Sequence, residues 1–256
     1  MPFYKKQTNN YQPKKNIIAG RNPVAEALKA GDNIDKILLF KNATGEAINT
    51  IRHKANQLNI PVQYVPMEKL NGLTNIAHQG VIAFKSSVVY QDLQQIIDWI
   101  NDKGETPLFL MLDGVTDVRN IGAIARSALC TGTHAIIIPD KGVGALNEDA
   151  VKSSAGALEQ IQICRVNSLL KAVDELHLNG IKVFTSEMNA EKKLFELDFK
   201  DPCCIVMGGE ENGVQSYISK AADAKFSIPM KGDFDSLNVS VAAGISLYEA
   251  LKQRII

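Results

Sequence analysis

Residues 108–126, LFLMLDGVTDVRNIGAIAR, run from an unbroken apolar segment through a polar turn into a helical pattern. Leu108–Leu112 shows no polar alternation, as expected of a strand covered on both faces. The turn that follows is rich in Gly, Asp, Asn and Thr, and Ile121–Cys130 then repeats apolar residues at helical spacing. The same alternation recurs downstream. Further apolar runs are Ala135–Ile138, Ile181–Thr185, Cys204–Met207 and Lys225–Ile228. Helical patterns fall between them near Asp149–Ala157, Ser168–Leu178 and Gln215–Ala222, and a last one, Val239–Gln253, closes the chain. This order predicts an α/β domain over 107–256 with a largely parallel sheet. Ligands of such sheets gather beyond the carboxyl ends of the strands, so the loops there are where chemistry is expected.

Working back from that stretch, Gln91–Asn101 fits an amphipathic helix and Lys103–Pro107 an exposed connection, which makes 89–106 a linker. Residues 17–88 predict a second, smaller α/β domain. Its first helix lies within Gly20–Gly31, with Asn22 as the cap, Pro23 at the first helical position and Gly31 as the stop. Asp35–Phe40, Val62–Val65 and Gly80–Phe84 are strand candidates, and Glu46–Leu58 a helix with Ile48, Ile51, Ala55 and Leu58 on one face. Residues 1–16 carry Lys5, Lys6, Lys14 and Lys15 and no acid. They read as a flexible basic tail, either simply solvated or able to touch RNA phosphates.

Composition narrows the function classes. With 45% hydrophobic and 22% charged residues the chain is an ordinary globular one. No apolar run is long enough for a membrane span, and the start lacks the apolar core of a secretory signal, so a cytoplasmic protein is expected. Lys plus Arg equals Asp plus Glu at 28 each, so any nucleic-acid contact has to come from local clusters of cations rather than from net charge. Cys130, Cys164, Cys203 and Cys204 form no C-x-x-C pair, and the four histidines show no metal-binding spacing, so buried free thiols and no metal are expected.

Three loops concentrate polar residues. The first leads through Asn120 and Gly122 to Arg126. The second is Gly208-Gly209-Glu210-Glu211-Asn212-Gly213. The third runs from Pro229 through Ser236, Leu237 and Asn238 to Ser240. Each alone has a structural explanation: Asn120 as a helix cap, the glycines as a turn, Ser236 and Asn238 as caps of the last helix. The G-x-G-x-x-G of dinucleotide-binding helices and the G-K-[ST] of phosphate loops are both missing, which disfavours a nucleotide-dependent oxidoreductase.

Together, in this order and at these strand ends, the loops resemble the three signature motifs of the SpoU/TrmH branch of SPOUT methyltransferases. The motifs stand here as N-x-G-x-x-x-R from Asn120, M-G-G-E-x-x-G from Met207, and I-P-M-x-G-x-x-x-S-L-N-V-S-V-A from Ile228. Two further blocks, G-R-N-P-V-x-E-A-L from Gly20 and His78-Gln79-Gly80, resemble the amino-terminal domain of the subtype that methylates a guanosine ribose in 23S rRNA. The resemblance covers nearly the whole chain beyond residue 16. It implies S-adenosylmethionine as co-substrate, a deep trefoil knot in the carboxyl-terminal domain, an L30e-like RNA-binding domain before it, and a homodimer whose partner subunit contributes to the active site.

Residue by residue, the resemblance gives Arg126 a place against the reactive ribose. A guanidinium stays protonated, so its fitting role is to orient phosphate and hydroxyl and to stabilise the developing oxyanion. Asn120 would hold Arg126 or the ribose, Glu210 would pair with Arg126 or accept from RNA, and Ser236 and Asn238 would lie near the hydroxyl. Met207, Gly208, Gly209, Ile228 and Leu237 map to donor binding, the glycines giving the main chain close access to the ligand, with Thr185 as a neighbour. Arg21, Asn22, His78 and Gln79 map to RNA contacts, and for Asn22 and His78 a cap or turn role is the alternative. Two rival functions remain: a non-catalytic RNA-binding or ribosome-assembly factor on the same scaffold, and a tRNA methyltransferase.

Overall fold

The computed structural model describes residues 17–58, 60–144, 146–231 and 236–255. The basic tail lies outside them. The chain divides into two compact units between Lys85 and Ser86.

The first unit is a four-stranded sheet with helices on both faces. Its elements are β1 (Ile17–Ala19), α1 (Arg21–Ala30), β2 (Ile34–Phe40), α2 (Glu46–Gln57), β3 (Val62–Val65), α3 (Met67–Asn71) and β4 (Val81–Lys85), with strand order β1-β4-β2-β3. Alternation along the strands separates the two cores. Ile37, Leu39, Val81 and Ala83 pack with Val24, Leu28, Ile48 and Ile51 of α1 and α2, while Leu38 and Ile82 pack with Leu70 of α3. The cap of α1 is Gly20, at φ 106°, and Asn22 sits one residue inside the helix, so the cap expected of Asn22 does not form. Gly20 takes that place because its backbone is in the left-handed region, where a side chain is strained. Gly31 ends the helix in the left-handed conformation, as its position in the sequence predicts.

The second unit holds β5 (Tyr90–Gln91), α4 (Leu93–Asp102), β6 (Leu108–Asp113), α5 (Val118–Cys130), β7 (Ala135–Pro139), α6 (Glu148–Ser153), β8 (Gln162–Val166), α7 (Leu169–Leu178), β9 (Lys182–Ser186), β10 (Lys192–Lys193), β11 (Cys203–Gly208), α8 (Ser216–Ala221), β12 (Ala224–Ser227) and α9 (Val239–Ile255). All eight strands among the described residues of this unit are parallel, in the order β10-β12-β9-β11-β6-β7-β8-β5. Residues 89–106, expected as a linker, carry β5 and α4. The apolar face of α4 (Leu93, Ile96, Ile97, Ile100) is buried on this sheet rather than left in a connection. β8 carries no uninterrupted apolar run, because Gln162 and Arg165 break it, and only its pairing with β7 and β5 makes it a strand. Both edges end in two-residue strands, which limits pairing with other chains.

The fully apolar strands have the predicted consequence. Leu108, Leu110, Leu112, Cys203, Ile205 and Met207 face the α5/α9 side, and Phe109, Met111, Cys204 and Val206 face the α4/α7/α8 side. At the far end of α9, Arg254 donates to the carbonyls of Phe199 (2.8 Å), Thr106 (2.8 Å), Pro107 (3.0 Å) and Asp201 (3.0 Å), tying that helix to the amino ends of β6 and β11. No helix among the described residues is long and apolar enough to cross a membrane.

The thiols give a first measurable consequence. Burial pushes the Cys164 thiol up to about 12 and the Cys203 thiol up to about 11, and raises Cys204 well above its ordinary value, whereas Cys130 is exposed. Only thiolates react readily. At mildly alkaline pH a disulfide reagent is therefore expected to titrate Cys130 alone in the native protein and all four cysteines in denaturant. Fast reaction of a second thiol in the native state would contradict this burial.

Candidate functional site

Strand order reverses at the β6–β11 pair: β7 and β8 lie on one side of it, β9 and β12 on the other. Such a switch point opens a crevice at the carboxyl ends, and the three polar loops meet there. Gly208 pairs in register with Asp113, the last residues of their strands. The Asp113 carboxylate is buried and accepts from the Gln215 backbone N–H (2.7 Å) and from Gln215 Nε2 (2.6 Å), while its carbonyl accepts from Gly209 N (2.8 Å). Asp113 thus latches the loop 208–215 at both ends. Within the loop, Gly213 N donates to Gly209 O at 2.9 Å.

The glycines have a nearer reason than ligand access. A Cβ at Gly208 would lie 2.0 Å from the Gly213 carbonyl carbon, and one at Gly209 would lie 2.2 Å from the Gly114 oxygen. Backbone packs on backbone here, and the space a side chain needs is already filled. Gly122 of the first motif is alike: its Cβ would meet Ser153 Oγ at 1.9 Å where α5 crosses α6.

Helix α5 begins at Val118, capped by the Asp117 side chain. Asn120 is therefore not its cap, and its amide is free for longer-range contacts. Asn120 Nδ2 donates to Glu210 Oε1 in a short contact, and Asn120 Oδ1 accepts from Asn238 Nδ2 at 3.1 Å. Asn238 in turn accepts from Ser240 N at 2.9 Å in the first turn of α9. Asn238 is thus both helix cap and network member. The four groups form one directional chain, from a backbone donor through two amides to a carboxylate, in which each bond polarises the next. One residue from each motif is present: Asn120, Glu210 and Asn238.

Beside this network lies a cavity of about 430 Å³. Met207, Gly208, Gly209, Ile228, Leu237 and Ser236 all line it, as do Glu210 and Glu211. Thr185 does not. It is fully buried, and its hydroxyl donates to Glu187 Oε1 at 2.7 Å. Glu187, Met188 and Asn189, in the turn after β9, do line the cavity, and no motif in the sequence marks them. The signal available was position alone, since that turn follows a strand at the same edge. Three carboxylates and no Lys or Arg stand among the described lining residues.

Arg126 is brought to none of these groups. It is exposed, outside the cavity, and without a hydrogen bond or ion pair among the described residues; the acid expected to meet it, Glu210, binds Asn120 instead. Six residues along a helix turn a side chain well away from its starting face. Arg126 flanks Ala123 and Ser127, which line a shallow groove of about 560 Å³ with Val241, Gly244, Ile245 and Tyr248 of α9. Val241, Ile245 and Tyr248 are exposed apolar residues.

In the first unit, Arg21 and Gln79 meet. The Arg21 backbone N donates to Gln79 Oε1 (3.3 Å), and its guanidinium donates to the carbonyls of Gln79 (3.2 Å) and Thr44 (3.0 Å). His78 is buried. Its Nδ1 accepts from Gly80 N (3.1 Å), which leaves the proton on Nε2, 2.9 Å from Asn71 Oδ1. Both nitrogens brace the loop, so the turn role holds for His78. Asn22 is exposed beside this cluster.

The family model described as SpoU rRNA Methylase family matches residues 107–248, more than half of the chain. The chain belongs to the SpoU rRNA methylase family. Residues 17–91 match a second model, RNA 2′-O ribose methyltransferase substrate binding. A Staphylococcus aureus protein assigned to the TrmH family of tRNA/rRNA methyltransferases is 37% identical over 238 residues, covering 93% of this chain and 96% of that one. YacO of Bacillus subtilis, assigned likewise, is 32% identical over 237 residues, covering 93% and 95%. Among solved structures, the SpoU methyltransferase AviRb from Streptomyces viridochromogenes, in complex with the cofactor AdoMet, aligns with a TM-score of 0.60 at 26% identity, covering 93% of this chain and 90% of that one. This member of the family is an RNA 2′-O-ribose methyltransferase.

Proposed function

We propose that the protein methylates the ribose 2′-hydroxyl of a guanosine in 23S rRNA, with S-adenosylmethionine as co-substrate and as a homodimer. The observation that carries this reading is the convergence of Asn120, Glu210 and Asn238 into one hydrogen-bonded chain beside a cavity rich in acids and free of described cations. Such a lining suits a ligand with an apolar base, hydroxyls and positive charge. It suits a nucleotide with phosphates poorly. The donor supplies an electrophilic methyl group, so no metal is required.

The chain's own residues supply position and electrostatics. Asn120, fixed from both sides, presents its amide beside the cavity mouth, and Ser236 lies on the same rim. Fixed groups of this kind can lower a displacement barrier by several kcal/mol, through alignment alone. Arg126 is proposed to act across the dimer, in the site of the partner subunit, because no described residue of its own chain makes a hydrogen bond or ion pair with it. The exposed stripe Val241, Ile245 and Tyr248 next to it supports burial against a second copy. Ile228 and Met230 after β12, and Ser236 and Leu237 before α9, line the same cavity as residues 207–214, which supports the trefoil knot of the family at this place. In the first unit, Arg21, Asn22 and Gln79 form the proposed RNA-facing cluster, and the rRNA target is favoured because a substrate-binding module precedes an rRNA methylase domain.

The test is a map of 2′-O-methylated positions in rRNA and tRNA from a strain lacking the protein. One guanosine of 23S rRNA is expected to lose its methyl group and regain it when the wild-type chain is returned. A loss confined to tRNA would transfer the activity to that substrate, and no loss in either would remove it.

A further inference from the structure

Glu187 lies in a turn that carries no signature motif, yet both its backbone and its carboxylate are held in place on the cavity wall. Its backbone N donates to Phe226 O at 2.9 Å and its carbonyl accepts from Ala190 N at 3.2 Å. Thr185, fully buried, fixes Oε1 at 2.7 Å, and the Lys225 ammonium stands 3.7 Å from Oε2. That pinning is expensive in side-chain entropy unless the oriented carboxylate has a use. Oε1 retains a lone pair beyond the bond from Thr185, and Oε2 lies outside hydrogen-bond distance of Lys225, so both oxygens can still accept.

The charges divide the cavity into two ends. At Glu187 the acid is balanced by Lys225, so a second cation placed there would face that ammonium and be repelled. Neutral donors suffer no such penalty. At Glu210 and Glu211 no Lys or Arg forms an ion pair among the described residues, so the negative charge is unbalanced and favours a cation.

We infer that Glu187, oriented by Thr185, accepts hydrogen bonds from the vicinal ribose hydroxyls of the methyl donor and so sets the donor's direction in the cavity. Two carboxylate oxygens match two neighbouring hydroxyls, and dinucleotide-binding folds likewise use an acid to read a ribose hydroxyl. The nucleoside end then belongs at the end of β9, and the cationic end at Glu210 and Glu211. Thr185 is a positioning residue that acts through Glu187. This inference rests on the donor assignment above and adds its orientation.

Titration calorimetry with two probes tests it: S-adenosylmethionine, and 5′-methylthioadenosine, which keeps the hydroxyls but has no positive charge. Glu187→Ala is expected to weaken both by a similar factor, about 10- to 100-fold, as for a lost hydrogen bond to a charged group. Thr185→Val should weaken both by less, and Thr185→Ser should restore wild-type binding. Thermal unfolding of each variant guards against loss of the fold. If Glu187→Ala weakens S-adenosylmethionine alone, the carboxylate reads the donor's charge and the inference is overturned; unchanged binding of both probes overturns it too. Failure of the wild-type protein to bind S-adenosylmethionine would instead bring down the donor assignment, and this inference with it.

Discussion

Replacing Arg126 with alanine is expected to lower kcat for ribose methylation by about 10²- to 10³-fold, the usual loss when a transition-state stabiliser is removed, while S-adenosylmethionine still binds. Its guanidinium is exposed, engages no partner among the described residues and does not reach the cavity of its own chain. Removal therefore costs the fold little and leaves the donor site intact. The loss should fall on the chemical step and on RNA engagement. Methyl incorporation into rRNA at saturating donor measures the first, an RNA-binding titration the second, and donor calorimetry checks that the donor site is intact. Retention of kcat by Arg126→Ala would remove the residue from the mechanism.

The same residue tests the proposed dimer. If Arg126 serves the partner's site, mixing Arg126→Ala chains with chains unable to bind donor creates hybrids with one complete site. Activity should then recover to about a quarter of wild type on random reassortment of a two-fold dimer. If Arg126 serves its own chain, every hybrid site lacks one component and no activity returns.

Gly208→Ala is the second large effect. The added methyl would lie 2.0 Å from the Gly213 carbonyl carbon and 2.2 Å from Val214 N, contacts with main chain that no rotamer change can relieve. The loop would have to open, straining the bonds from Gln215 to Asp113 and from Gly213 to Gly209. A destabilisation of about 1–3 kcal/mol is expected, as for other overpacked sites. Since the loop is a wall of the cavity, donor affinity should fall by about 100-fold, equivalent to roughly 2.7 kcal/mol. Denaturant unfolding and donor calorimetry read the two effects separately. Unchanged donor binding in a folded Gly208→Ala protein would show that this loop is not part of the donor site. Gly208 has an ordinary φ, so the effect is steric, unlike that at Gly114, where φ is 77°.

Much of the site is legible because motifs are local. Asn120, Glu210 and Asn238 stand out by their spacing within motifs, and each lies in the stretch of chain that follows the carboxyl end of a strand, β6, β11 and β12 in turn. Glu187 was not legible: its turn has no glycine and no repeated pattern, and its importance comes from Thr185 beneath it and from β12 beside it. His78 shows the opposite case. It sits in a recognisable block, yet burial commits both of its nitrogens to the loop. The amphipathic helix within 89–106 is legible, but its place in the second unit rather than in a linker is not, because the burial of α4 depends on a sheet face that exists only after β6, β7 and β8 have assembled.

The sequence by itself determined the parallel α/β architecture, since short continuous apolar runs alternating with helical patterns fit strands covered on both faces. It also determined the family, through three blocks of residues whose order no single secondary-structure element requires. The tertiary structure alone decided which side chains meet. Asn120 turns to Glu210 and Asn238 rather than to Arg126, because helix geometry carries Arg126 to another face of α5. It also decided why Gly208 and Gly209 are glycines, because only the folded chain shows main chain already occupying the space a side chain would need.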